Sequence, residues 1–467
     1  MNRPICICIA LALAALPIPV CAQAITPDED HAIDAAVSAT LVRTGVPSVS
    51  IAVVRGGQLV MARAWGTASD TLGPAKPEMP YQIASNSKQF LAALIRLMAD
   101  QGRLSLDDKV AKWLPAVTGA DRMTVRQLLS HTSGLQDFWP QDYAFAAMAT
   151  PTTPDAIIRG WAMKPLDYAP GDRWQYSNTG YVVAGRIAEL AGGAPLGELL
   201  AKYLFTPLAI HPLFIDDAIG PQYPTGHDRY ALGPIRTITP PGRGWLFAGG
   251  ELTMTASDLA RWDIARIDRQ VMPPHDWATQ ETAIRLTDGT SSEYGLGVHV
   301  AERDGRRVIE HGGESVGFLS QNTVWPADGA AIVVLTNAGF SDADTTLTDA
   351  IAKVILPRAV QAQTGEAART DDARAELAAL SAGRFAPARF TKNAQDYFTA
   401  AAIADFHHSL SALGPCSGFV AQGKPRLRGG FVNRNFTAAC GKHELTVITY
   451  AERGPSGRWE QLLVSPD

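Results

Sequence analysis

The sequence sets a hydroxyl and an amine three residues apart in Ser85-Asn86-Ser87-Lys88. On a helix that spacing puts both side chains on one face. A serine hydroxyl is a weak nucleophile at neutral pH and needs a base beside it. A lysine serves as that base only where burial or a nearby cation lowers its pKa. At a helix start, the backbone N–H of Ser85 also lacks an intrahelical partner and can point at a developing oxyanion. Taken alone, these four residues more often describe a capping serine followed by an exposed lysine.

Two further elements supply what such a site needs. Tyr176-Ser177-Asn178 follows Pro170-Gly171 and precedes an apolar helical stretch, Val182 to Leu190. A tyrosine near Ser85 can relay a proton to a leaving group, and Asn178 offers a donor and an acceptor to a substrate amide. His311-Gly312-Gly313 ends a predicted strand. Its glycines let a substrate lie against the strand edge, and a backbone N–H just after them can complete an oxyanion hole. Singly, each element has a plain structural reading: a turn with a core tyrosine, and a glycine-rich strand end with a surface histidine.

In this order and at these separations, the three elements resemble the serine β-lactamase and penicillin-binding protein superfamily. Its S-x-x-K signature is joined by S-D-N and K-T-G in one branch. Tyr176-Ser177-Asn178 matches the Y-x-N form of class C β-lactamases, D,D-carboxypeptidases and related esterases. Gln127 to Leu135, Ala248 to Leu252 and Ser257-Asp258-Leu259 are similar to supporting stretches of that branch. The resemblance covers roughly residues 30 to 357. It implies that Ser85 becomes acylated and that Lys88 and Tyr176 share general-base and general-acid work, with the first proton acceptor left open. It implies further that Asn178 orients the substrate amide, that His311 and Gly313 line the opposite wall, and that the N–H groups of Ser85 and Glu314 form the oxyanion hole.

The third element departs from the β-lactamase pattern. His311 stands where those enzymes carry a lysine that helps bind the drug carboxylate, and a neutral histidine gives less charge at pH 7. The expected activity is hydrolysis of small amide, D-peptide or ester substrates through an acyl-enzyme. The alternatives are a β-lactamase proper, and a penicillin-binding or sensor protein that acylates without efficient turnover. No cofactor is expected, and the partner is a small-molecule or peptide substrate.

Other candidates read as decoys. Gly313-Glu314-Ser315-Val316-Gly317 matches G-x-S-x-G, but that motif needs a strand-turn-helix context, and here strand-like Phe318 to Trp325 follows. His131 reads as structural, because sequence neighbours such as Ser130 and Ser133 rarely present triad geometry. His211, His407 and His408 lack a matching ligand set, so no metal site is expected. Trp139, Trp161 and Trp174 read as filling for a helical lobe rather than cleft lining.

The elements that position these residues follow from periodicity. Asp28 to Arg43 has a helical pattern, with Ile33, Val37 and Leu41 on one face. Val49 to Val54 and Leu59 to Trp65 flank Gly56-Gly57 as a hairpin. Asn86 to Gln101 is a buried helix with Ser85 at its start. Helical pieces fill Leu106 to Trp245. Two further hairpins follow: Gly297 to Glu302 with Arg307 to His311, and Phe318 to Trp325 with Ala330 to Asn337. A helix near Thr346 to Ile355 closes the region. The fold expected is α+β: a mostly antiparallel sheet flanked by helices, with a helical lobe, over 25–360. A linker at 361–374 and a small α+β domain at 375–467 follow, the latter with a helix near Asn393 to Leu410 and strands at Gly430 to Ala438, Glu444 to Tyr450 and Trp459 to Val464.

Composition bounds the rest. The 467 residues are 46% hydrophobic and 19% charged, an ordinary globular balance. A formal net charge of -5, with no basic run, excludes a nucleic-acid partner as the expected role. Residues 1–24 read as an export signal: Arg3, an apolar run from Ile5 to Leu16, then Ala22-Gln23-Ala24 as a small-x-small cleavage site. The apolar run is too short to span a bilayer, and nothing beyond it is long enough. Lipidation at Cys21 is the alternative, though Val20 is large for the residue before a lipidated cysteine. The expected location is periplasmic or secreted. Cleavage leaves only Cys416 and Cys440, a disulfide candidate in an oxidising compartment, the alternative being two free buried thiols.

Overall fold

Thr26 and Glu29 open the first helix, Pro27–Thr44, with a reciprocal capping box, and Gly45 ends it in the left-handed conformation. The computed structural model describes residues 24–140, 144–303, 305–356, 366–428, 431–454 and 456–466. The expected signal segment therefore lies, except for Ala24, outside the described residues. The chain divides into two units, Met1–Leu356 and Pro357–Asp467.

The first unit is built on a seven-stranded sheet. Its order across is Gly73–Pro74, Gln58–Ser69, Ser48–Arg55, Ala330–Thr336, Phe318–Trp325, Arg306–Ser315 and His299–Arg303. Every pairing is antiparallel. The central strands alternate between two cores. Val49, Ile51 and Val53 meet Ile332 and Val334 on the face covered by Pro27–Thr44 and the helix Ala343–Ile355. Ala52 and Val54 join Ala331, Val333 and Leu335 in a larger core with the helical lobe. Both faces are thus buried, which the β-branched runs require. The α+β reading with a mostly antiparallel sheet holds.

A second, three-stranded sheet joins sheet and lobe. Tyr81–Gln82 and Leu213–Phe214 pair with Leu252–Met254 on either side. The chain leaves Tyr81–Gln82 through a 3-10 turn, Ala84–Ser87, into the helix Lys88–Asp100. This differs from the expected helix start. Ser85 lies within the tight turn, and the residue before the helix, Ser87, makes no capping bond from its side chain. Its hydroxyl instead accepts from the backbone of Leu252 at 3.1 Å.

The strand read as ending at His311 runs on to Ser315, since His311 to Ser315 keep pairing with Asn322 to Phe318. Gly-Gly did not break it, because the partner strand supplies the backbone bonds.

The second unit is an antiparallel meander, Cys416–Arg428, Phe431–Cys440, His443–Ala451 and Trp459–Pro466, with the helices Glu366–Ser381, Lys392–Tyr397 and Ala400–Ser411. Of the stretch read as a linker, 361–365 lie outside the described residues. From Glu366 onward it is helical, as its alanine content favours. Cys416 and Cys440 are bonded to each other across paired strands. No helix among the described residues is long and apolar enough to cross a membrane.

Candidate active site

Lys88 is the first residue of its helix and is fully buried. Its amine lies 2.9 Å from Ser85 Oγ, 2.8 Å from Asn178 Oδ1 and 2.6 Å from the carbonyl oxygen of Gly249. The last two can only accept. They take two N–H bonds and leave the third tetrahedral position of the nitrogen facing Ser85. Burial lowers the Lys88 pKa to about 7, against an opposing pull from the Asp137 charge. A large share of the amine is therefore neutral at pH 7, with its lone pair aimed at the serine hydroxyl.

The Ser85 turn is clamped by the large sheet. Ser320 donates to the Ile83 carbonyl at 2.9 Å and accepts from the Asn86 amide at 3.0 Å. A Cβ at Gly313 would fall 2.2 Å from that same Ile83 oxygen, so only glycine lets the strand lie against the turn. Ala84, just before Ser85, has φ 47°, a sparsely populated conformation for alanine.

The Tyr176-Ser177-Asn178 segment is held from below. Ser177 caps the helix Asn178–Gly192 by accepting from Gly180 N. His131 holds the segment through its Nδ1, which accepts from Ser177 N at 3.1 Å, while its carbonyl accepts from the preceding Gln175 N at 2.9 Å and from Tyr168 Oη at 3.2 Å. Its ring lies 4.2 Å from that of Tyr176. Burial pushes the Tyr176 phenol pKa far up, against a smaller opposing pull from the Ser85 hydroxyl. The Lys88 amine sits 4.8 Å from the Tyr176 ring and 5.3 Å from the Tyr181 ring.

Asp137 orients Asn178. It accepts from Asn178 N at 3.0 Å and from the Asn178 amide nitrogen at 3.2 Å, which turns the side-chain oxygen toward Lys88. His311 is buried, not a surface residue, and burial takes its pKa down to about 3. Its Nδ1 faces the Gly312 carbonyl, which only accepts, so Nδ1 carries the proton and Nε2 accepts from Tyr294 Oη at 2.8 Å. His311 thus presents a neutral wall with both nitrogens engaged.

The fold brings Ser85, Lys88, Tyr176, Asn178, His311 and Gly313 to one place. Glu314 follows Gly313 on the same strand, its side chain exposed. Ser315 is elsewhere in purpose: buried, it donates to Gln82 Oε1 at 2.7 Å. Trp174, expected as lobe filling, instead packs beside the site against His131, Tyr294 and His299.

The family model for Beta-lactamase matches residues 33–355. The chain belongs to the β-lactamase family. Among curated relatives, a D-aminopeptidase of Brucella ovis is 28% identical over 334 residues, covering 68% of this chain and 62% of the relative. The chain thus spans less than two thirds of that protein's length. Among solved structures, a D-stereospecific amidohydrolase from a Streptomyces species aligns with TM-score 0.60 and 25% identity over 68% of this chain and 97% of that one. A penicillin-binding protein homologue from Pyrococcus abyssi shares the fold, with TM-score 0.60 and 19% identity over 93% of this chain and 99% of that one.

Sequence reasoning missed Asp137, Gly249, Tyr181 and Tyr294. Asp137 follows the Gln127 to Leu135 stretch and is the nearest acid to it, a usable signal. Gly249 lies in the Ala248 to Leu252 stretch, but it acts through its carbonyl, which every residue carries.

Proposed function

We propose that this protein is an exported serine hydrolase that cleaves small amide or ester substrates, including D-residue amides and short D-peptides, through an acyl-enzyme on Ser85. The observation that carries this reading is the Lys88 amine, neutralised by burial and held 2.9 Å from Ser85 Oγ. The names of the relatives, a D-aminopeptidase and a D-stereospecific amidohydrolase, support the substrate class.

In this account Lys88 takes the Ser85 proton as Oγ attacks the carbonyl. Tyr176 is the poorer first base, because burial raises its pKa while lowering that of Lys88. Tyr176 stays a phenol and passes its proton to the leaving nitrogen or oxygen as it receives one from Lys88. The N–H groups of Ser85 and Glu314 hold the oxyanion, where losing one donor typically costs ~10²–10³ in rate. Water then attacks the ester, gives its proton to Lys88, and Ser85 regains it as the acid departs. Asn178 holds the substrate amide. His311 and Gly313 form the far wall, and the neutral imidazole of His311 gives a β-lactam carboxylate no counter-charge. Export rests on the residue pattern of 1–24 and is supported by the Cys416–Cys440 bond.

The test is one panel: a D-amino-acid amide, a D-Ala-D-Ala peptide, a short-chain nitrophenyl ester and a chromogenic cephalosporin, each with Ser85→Ala as control. Steady product release from amides, D-peptides or esters, abolished in Ser85→Ala, supports the reading. Fast cephalosporin hydrolysis with little turnover of the others favours a β-lactamase, and stable acylation without turnover favours a sensor.

A further inference from the structure

The second unit contains a cluster of buried donors with no acceptor among the described residues. They are Nε and Nη2 of Arg369, Nη1 of Arg434 and Nε1 of Trp459. Arg369 is 2% exposed, Arg434 8% and Trp459 0%. The three side chains come from different elements. Arg369 lies on the helix Glu366–Ser381. Arg434 lies on Phe431–Cys440, opposite Thr449 in register. Trp459 opens the last strand, opposite Ala451. Arg369 stacks on the Trp459 ring with its guanidinium carbon 3.8 Å from the centroid.

The pattern of used and unused donors is specific. Arg369 gives Nη1 to Asp372 at 2.9 Å. Its remaining pair, Nε and Nη2, is the side-on fork that matches two oxygens of a carboxylate or phosphate. Arg434 spends its own fork on Glu366, leaving Nη1 over. Arg389 is engaged by Asp372 and Glu376. Each arginine thus has a carboxylate on one side, yet Arg369 keeps its best anion-binding edge unused. Leaving a buried donor unpaired forfeits its hydration with nothing in return, and nearly all buried polar groups in folded proteins are paired. Four in one cluster call for a shared acceptor.

We propose that this unit binds an oxyanion, a carboxylate or a phosphate group, on the Nε/Nη2 fork of Arg369, with Arg434 Nη1 and Trp459 Nε1 completing its shell. Entry is from the Glu366 side: that carboxylate is 53% exposed and can swing away from Arg434.

The indole N–H of Trp459 reports binding directly. Nitrogen–proton spectra of the full chain are recorded, with Trp459→Phe assigning the resonance. Inorganic phosphate and acetate are titrated separately, with sodium chloride at matched ionic strength as the control. The Trp459 resonance moves saturably with at least one of the two anions and not with chloride, and the tighter of the two identifies the ligand's head group. Arg369→Lys keeps the charge but loses the fork, and weakens the response roughly tenfold. A Trp459 resonance unmoved by either anion overturns the proposal, whether or not the lysine variant folds. A folded Arg369→Lys chain that binds as well as the parent does the same.

Discussion

The Lys88 amine and the Ser85 hydroxyl are 2.9 Å apart, and the other two partners of that amine are oxygens that only accept. The arrangement fixes where the nitrogen lone pair points once the amine is neutral. Full burial makes it neutral within reach of physiological pH.

The pH dependence follows with a definite sign. The base form of Lys88 grows as pH rises through its pKa of about 7, so kcat/KM climbs through that region and falls about tenfold per unit below it. Lys88→Arg keeps the charge but cannot deprotonate, and it lowers kcat by a factor of ~10³ or more with no recovery at higher pH. A pH–rate profile of both proteins checks this.

Asp137 acts through two other residues. Its carboxylate holds Asn178 and raises the Lys88 pKa against the burial effect. Asp137→Asn therefore moves the acid limb of the pH–rate profile to lower pH, and lowers kcat about 10- to 100-fold as Asn178 loses its fixed orientation. A residue with a purely structural role would lower activity without moving the limb.

His131 is a positioning residue for Tyr176. Replacing it with alanine removes the Ser177 N–H acceptor and the ring under Tyr176, while its backbone bonds remain. The expected result is a kcat loss of about 10- to 100-fold with a smaller change in KM. Circular dichroism checks that the chain stays folded, and steady-state kinetics gives the split.

What the sequence made legible, and what it hid, divides along the distance of the interactions. Ser85 with Lys88, and the hairpins around Gly56-Gly57 and Gly329, were readable because local spacing and period-two alternation carry them. The partners of Lys88 were not, since Asn178 and Gly249 reach it from 90 and 161 residues away. The strand Cys416–Arg428 escaped notice because Gly418, Gly423 and Pro425 interrupt its alternation, and its register shifts twice against its partner. The burial of His311 on the site wall was not legible, because nothing local announces Tyr294, which bonds to its ring from 17 residues away.

The Cys416–Cys440 bond closes a separation of 24 residues within the second unit. Replacing both cysteines with serine should destabilise that unit by about 3 kcal/mol and lower its melting transition by about 10 °C or more. Calorimetry of the full chain, oxidised and reduced, resolves the effect from the first unit, which has no described cysteine.

The most direct test is covalent capture of the nucleophile. The protein is quenched during turnover of a nitrophenyl ester, and the intact mass and the modified peptide are determined. One acyl group per chain is expected, located on Ser85 and absent from Ser85→Ala. An acyl group on another residue, Ser315 included, or undiminished turnover by Ser85→Ala would contradict it.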